Sequence, residues 1–232
     1  MNEVLESARL QLVHWQQRYA WPIGLLVLVL LFNLAIFALI GDAAPEDDRT
    51  TGALSSVYIT AAVTYLVAFN QYFPFALGLS VTRRAFYAAV VLLAVVESLG
   101  YGLVVVLFGL LERATGGWLL HVRFFDLEFL QATNPLLQWM VYTGPFLLLA
   151  ALFALFGAIY RRWSQTGVWG IVLVSTLLLG GLAVLLTWQN WWDDLGAWFV
   201  AQPVPALFAG YPVLLAAVAL GAGWLVIRRA TV

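Results

Sequence analysis

An all-α fold that crosses a membrane six times is what this sequence predicts, and three observations carry it. Hydrophobic residues fill 63% of the 232 positions and charged residues 10%, with a mean hydropathy of +0.92. Soluble domains average roughly 45–50% and 25%. Apolar runs near the roughly 20 residues that a bilayer demands recur six times. The charges between those runs are sorted by side, as they are in multi-pass proteins.

The first element is an interfacial helix over residues 1–20. Residues 2–20 carry Glu3, Glu6, Arg9, Arg18 and three glutamines, which is not the pattern of a secretory signal. Val4, Leu5, Ala8, Leu12, Trp15 and Tyr19 share one helical stripe. That stripe predicts a helix lying in the cytoplasmic interface, with Trp15 and Tyr19 at headgroup depth. A solvated amphipathic helix resting on a partner is the alternative. Residues 21–232 then read as one transmembrane domain, with spans at about 21–40, 53–69, 85–111, 136–160, 167–188 and 206–227. The third is long enough to tilt.

Charge sets the orientation. Arg9, Arg18, Arg83, Arg84, Arg161, Arg162, Arg228 and Arg229 fall on one side of this plan, and Arg49, Arg113 and Arg123 on the other. Nine of the twelve acids, including Asp42, Glu46, Asp47 and Asp48, share the arginine-poor side. Eight arginines against three put both termini in the cytoplasm. The eleven tryptophans fall near the expected interfaces or in flanking amphipathic segments, as an aromatic belt requires.

Two outer connections have patterns of their own. In 112–135, Trp118, Leu119, Val122, Phe125 and Phe129 suggest a helix resting on the outer surface. The Trp-rich stretch 188–205, ending in Gln-Pro-Val-Pro, suits either a broken or re-entrant segment or a plain interfacial loop.

The most informative connection is 70–87, on the cytoplasmic side. Pro74 removes a backbone donor and Gly78 adds freedom, so a continuous helix is expected to bend or end there. Phe73, Leu77, Val81 and Ala85 recur at helical spacing and give a short amphipathic helix, closed by Arg83 and Arg84. Residues 73–87 (Phe-Pro-Phe-Ala-Leu-Gly-Leu-Ser-Val-Thr-Arg-Arg-Ala-Phe-Tyr) resemble the cytoplasmic turn of small ABC-type exporter permeases of the type-2 export class, common in high-GC Gram-positive bacteria. The match covers about fifteen residues, and the six-span plan with its N-terminal elbow helix extends it, less specifically, to the whole chain. The resemblance implies that Phe73, Pro74, Phe75, Leu77, Gly78, Val81, Arg83 and Arg84 couple the chain to a separate ATPase subunit, which would bind ATP and Mg. It also implies an outer hairpin between the fifth and sixth spans that helps close the exit. An ordinary loop with cytoplasmic arginines is the plainer alternative.

Composition narrows the chemistry. There is no Cys, so thiolate metal sites, thiol nucleophiles and disulfides are unavailable. All eleven basic residues are Arg, and a phosphate-cradling Walker A loop needs Lys, so this chain is expected to have no ATP site and no cofactor of its own. His14 and His121 fall on opposite sides of the plan and are not expected to share a metal. No HExxH or GxSxG is present. Nothing suggests nucleic acid.

Glu97 is the one acid inside an expected span, and burying its charge there costs about 2.5–3.5 kcal/mol on insertion scales. Protonation, a polar partner or a wet cavity would relieve that cost. Counting rise per residue from the cytoplasmic side puts Asn33, Ser56, Thr60 and Glu97 at comparable depth, so a mid-membrane polar layer, and a candidate substrate path, is expected. Small residues (Gly170, Ser175, Thr176, Gly180, Gly181, Ala216, Gly221, Gly223) suit close helix packing in the last two spans.

The resemblance implies an ATP-driven export permease of the bacterial plasma membrane. It would pair with a second copy or a paralogue and move an amphipathic or hydrophobic substrate in contact with membrane lipid. Two rivals stand beside it: a proton-coupled carrier using Glu97, and a non-transporting membrane sensor or immunity protein. The first lacks the matched broken helices of paired repeats.

Overall fold

The computed structural model describes residues 2–13, 15–40, 49–52 and 54–229. The acids Asp42, Glu46, Asp47 and Asp48, and His14, lie outside the described residues. The described chain is helical: α1 (Asn2–Leu12), α2 (Trp21–Ile40), α3 (Ser55–Val67), α4 (Phe73–Gly78), α5 (Arg83–Ala114), α6 (Pro135–Gln189), α7 (Trp192–Ala201) and α8 (Tyr211–Ile227). Among the described residues no strand forms, and Thr50 and Arg123 make a single parallel bridge. Among the described residues, four helical segments are long and apolar enough to cross a membrane: Arg18–Ile40, Arg83–Ala114, Pro135–Gln189 and Ala206–Ile227.

Three aromatic-proline pairs shape the helices. Trp21-Pro22, Phe73-Pro74 and Tyr211-Pro212 each follow directly on a π turn, at Gln16–Ala20, Ala68–Tyr72 and Ala206–Gly210. The aromatic N–H in each pair donates five residues back, to Gln16, Ala68 and Ala206. Proline lacks an N–H and its ring crowds the carbonyl four residues earlier. The widened turn absorbs that conflict without breaking the helix. Two of the released carbonyls find other contacts. The Arg18 carbonyl accepts from the Tyr101 hydroxyl at 2.6 Å, and the Phe208 carbonyl rests on Gly144, where any Cβ would collide with it.

The expected bend at 70–87 therefore takes a different form. The helix runs through Pro74 by way of its π turn and stops at Gly78 rather than continuing to Ala85. Ser80 adopts the left-handed conformation (φ 64°), its N–H donates to Leu77 O, and the Val81 N–H reaches Ala76 O. This double closure is a Schellman motif, with serine where glycine is usual. Gly78 is an ordinary helical residue. Thr82 then caps α5, its hydroxyl accepting from Ala85 N at 3.2 Å.

α6 begins at Pro135, capped by the Asn134 side chain, and breaks at Ser164 (φ 55°, ψ −148°). A Cβ on Gly167 would lie 3.2 Å from Ile159 Cγ2. Eight residues along a straight helix span about 12 Å. The chain therefore folds back at Ser164, and residues 135–163 and 165–189 form two arms.

Contacts gather the charges into two ends. At one, Thr82 meets Glu3, Arg83 donates to the Arg228 carbonyl, and the Arg161 guanidinium lies 5.9 Å from the Phe73 ring. At the other, Arg49 donates to Leu120 O and Arg123 pairs with Glu128. Two apolar clusters fill the bundle between them. One holds Leu26, Val57, Tyr101, Val105, Phe125 and Phe146; the other Phe69, Phe73, Phe86, Val90, Ala154 and Ile227.

Two expectations are corrected here. The connection 112–135 forms no surface helix. Trp118, Leu119 and His121 have positive φ, and the Glu112 carboxylate, itself buried, accepts the backbone N–H groups of Phe124, Phe125 and Asp126 and the Trp118 indole N–H. Those bonds replace the helical ones and bury Phe124 and Phe125. Close packing by small residues falls mainly on the first arm of α6. Ala150, Ala151, Ala154 and Ala158 are buried there, and a Cβ on Gly157 would sit 2.8 Å from Phe69 Cδ2. Ala216 and Gly223 do pack closely, but Gly170, Gly180, Gly181 and Gly221 face open space. On α1, Ala8 packs against Ala89 and Leu93 of α5 with Val4 and Leu12 beside it; Ser7 and Gln11 are buried too, and Leu5 and Trp15 are exposed.

Candidate functional site

The packing of α1 on α5 decides where Glu97 goes. Ala8 seats against Ala89 and Leu93, so the first turns of α5 run alongside α1. Fourteen residues above Arg83, Glu97 meets the π turn that joins α1 to α2. There Arg18 Nε donates to Glu97 Oε1, and both side chains are buried. Tyr19 donates to the same oxygen at 3.0 Å and Tyr65 to Oε2 at 2.6 Å. The Arg18 guanidinium also lies 5.1 Å from the Tyr65 ring centre, within cation–π range.

This arrangement removes the difficulty that a lone acid posed. A buried charge is tolerated when it is paired and its remaining lone pairs are hydrogen-bonded. Glu97 has one cationic donor and two hydroxyl donors. Its two oxygens are thereby answered within one network that ties α5 to α3 and to the start of α2.

The other members of the expected polar layer lie elsewhere. Asn33 donates to Val29 O at 2.8 Å and accepts from Thr51 at 2.9 Å, beside the Thr50–Arg123 bridge and so at the opposite end. Thr60 donates back to Ser56 O, and Ser56 Oγ is buried with no hydrogen-bond partner. Equal depth would require α2 and α5 to start at one level. They do not, because α5 begins about four turns below the point where it meets Arg18. Asn33 and Glu97 consequently share no layer, and the four residues line no common path.

The cytoplasmic-turn residues divide by face. Phe73 and Ala76 are buried among Phe69, Phe86 and Tyr87, and Pro74, Leu77 and Val81 are half-buried. Phe75 is 59% exposed and Leu79 53%. Gly78 and Arg84 are exposed beside them, and Arg83 is half-buried. The segment is thus a short, well-anchored helix presenting two large apolar side chains and arginine.

Sequence reasoning missed Arg18, Tyr19, Tyr65 and Gln11 as one assembly. The signal was Trp21-Pro22. A proline there implies a widened turn just before it, which re-aims residues 16–20 away from a regular helical wheel. Fold and site together define an all-helical chain with long apolar helices fit for a membrane and a buried ion-pair hub about 21 Å along α5 from its arginine-rich start. Comparison of the chain with protein-family models, curated proteins and solved structures found no match.

Proposed function

We propose that this chain is the permease subunit of an ATP-driven exporter, energised by a separate ATPase that docks on residues 73–84. The observation that carries the reading is the exposed pair Phe75 and Leu79, on a helix whose other face is locked into the core by Phe73 and Ala76. An exposed apolar patch rimmed by arginine, rigidly held, suits a protein–protein contact.

In this reading the chain crosses the bilayer six times: α2, α3 with its π turn, α5, the two arms of α6, and α8. α3 and its π turn supply 13 and 5 residues, a rise of roughly 27 Å, close to the hydrocarbon thickness. The break at Ser164 supplies the extra reversal. Both termini lie in the cytoplasm of a bacterial cell, α1 serves as the elbow helix at that surface, and a second copy or paralogue completes the translocation path for an amphipathic substrate. The Arg18–Glu97 pair weighs against a proton-coupled carrier, because the carboxylate already holds a cation and two hydroxyl donors.

The test is co-purification with a nucleotide-binding subunit encoded nearby, followed by reconstitution. Phe75→Asp, or Arg83→Glu with Arg84→Glu, is expected to abolish ATPase stimulation and export while leaving insertion intact, since each places or reverses charge at the contact. Full stimulation and export by these variants would sink the docking assignment.

A further inference from the structure

Between α1, the π turn before α2, and α3 lies a cavity of about 210 Å³ whose walls include Gln11, Arg18, Trp21, Pro22, Val63 and Val67. Two of its polar groups have nothing to bind. Gln11 is 1% exposed, and neither its amide nitrogen nor its amide oxygen has a hydrogen-bond partner. Arg18 is 4% exposed; its Nε is engaged by Glu97, but its Nη2 has no partner. Buried donors without partners are rare in folded proteins, and a guanidinium N–H is among the costliest to strand.

We propose that this cavity holds the phosphodiester headgroup of a membrane phospholipid. Arg18 Nη2 and the Gln11 amide N–H supply two donors for phosphate oxygens. Charge-assisted bonds of this kind are the strong ones. Glu97 does not oppose the anion, because its carboxylate is already answered by Arg18 Nε and the hydroxyls of Tyr19 and Tyr65. Thr60 and Thr64 also line the cavity and donate their own protons to Ser56 O and Ala61 O. Their oxygens, with Gln11 Oε1, remain as acceptors for a hydroxyl or ammonium on the headgroup.

The walls and the mouth select a lipid over a soluble phosphate. Pro22 and Val67 give an apolar lining, as a glycerol or acyl stem requires. Trp21 and Val63 are 71% and 42% exposed and flank the opening on the side of the bundle. In a membrane-spanning chain that mouth, on the side of the bundle, faces acyl chains. The site rests on the membrane reading but not on an ATPase partner.

The experiment counts phospholipid retained by the purified full chain. Wild type, Gln11→Leu, Val63→Trp and a control, Leu39→Trp at an 87% exposed position, are taken from vesicles of phosphatidylcholine and phosphatidylglycerol into mild detergent and weighed by native mass spectrometry. Wild type and control should retain one phospholipid per protomer. Gln11→Leu should weaken retention about tenfold, as for loss of one hydrogen bond to a charged group, and Val63→Trp should lose it. Both variants should melt at or above the wild-type temperature in lipid-free detergent, because neither touches the Arg18–Glu97 pair. No retained lipid in wild type, equal retention by all four, or equal loss in the control would overturn the site. Inorganic phosphate raising the lipid-free melting temperature of wild type but not Gln11→Leu would put a soluble anion there and overturn the lipid assignment.

Discussion

Glu97→Leu is the substitution whose cost is best defined by the structure. It leaves the buried guanidinium of Arg18 without a counter-charge, and the Tyr19 and Tyr65 hydroxyls without their acceptor. Removing one partner of a buried ion pair costs about 3–5 kcal/mol. Glu97→Gln keeps an acceptor oxygen but loses the charge, and neutral hydrogen bonds are roughly half as strong as charge-assisted ones. Its penalty should fall at about half that of Leu. The decisive variant is Arg18→Met combined with Glu97→Leu, which replaces the pair by apolar groups of similar length. Such replacements are often neutral or stabilising, so the double variant should recover the part of the loss that comes from the unpaired guanidinium and keep only the cost of the stranded Tyr65 hydroxyl, about 1–3 kcal/mol. The assay is equilibrium unfolding in mixed micelles, followed by tryptophan fluorescence and closed into a double-mutant cycle. A coupling below about 0.5 kcal/mol, the scatter expected of independent sites, would refute the claim that these side chains form one network.

Other outcomes follow from single contacts. Glu112→Ala removes the acceptor for the Phe124, Phe125 and Asp126 N–H groups and the Trp118 indole. It should cost at least about 3 kcal/mol and open 113–134 to limited proteolysis; an unchanged digestion pattern would contradict the role. Ser164→Gly relieves a side chain at φ 55°, ψ −148°, and should raise stability by about 1–3 kcal/mol; a destabilised protein would show the break is not strained. Tyr101→Phe loses the bond to the Arg18 carbonyl and should cost about 1 kcal/mol in the same unfolding assay. Arg113→Ala, by contrast, breaks a half-exposed pair with Asp126 and should shift stability by less than about 1 kcal/mol.

The helical class and the long apolar helices were legible because composition and run length report them directly. The sorting of arginine was also legible, and contacts among Glu3, Thr82, Arg83 and Arg228 gather that end together. The candidate site was legible only as a question, namely how Glu97 could be buried. Its answer depended on the relative level of two helices, which rise per residue along each helix cannot supply. Ala8 against Ala89 and Leu93 set that level, and small residues packing on small residues leave little trace in an apolar sequence. The connection at 112–135 was misread for a related reason. Its aromatic spacing was compatible with a helix, but a carboxylate upstream captured the backbone donors that a helix would have used.

The turn at Gln16–Ala20 has a consequence of phase. A regular helix advances about 100° per residue, and a π turn takes up one extra residue without a matching advance. The faces of the chain before and after it are therefore out of step by about one residue. A wheel drawn evenly through the first forty residues aligns Tyr19 with Val4 and Leu5, whereas the molecule turns Tyr19 toward Glu97 and leaves Leu5 outside. The same offset makes single-residue deletions position-specific. One deletion within 16–20 tightens the turn and leaves Leu26 and Leu30 on their buried face, but it returns the Pro22 ring against the carbonyl four residues earlier and loses the aim of Arg18 and Tyr19. One deletion within 23–25 turns Leu26 and Leu30 out of the core.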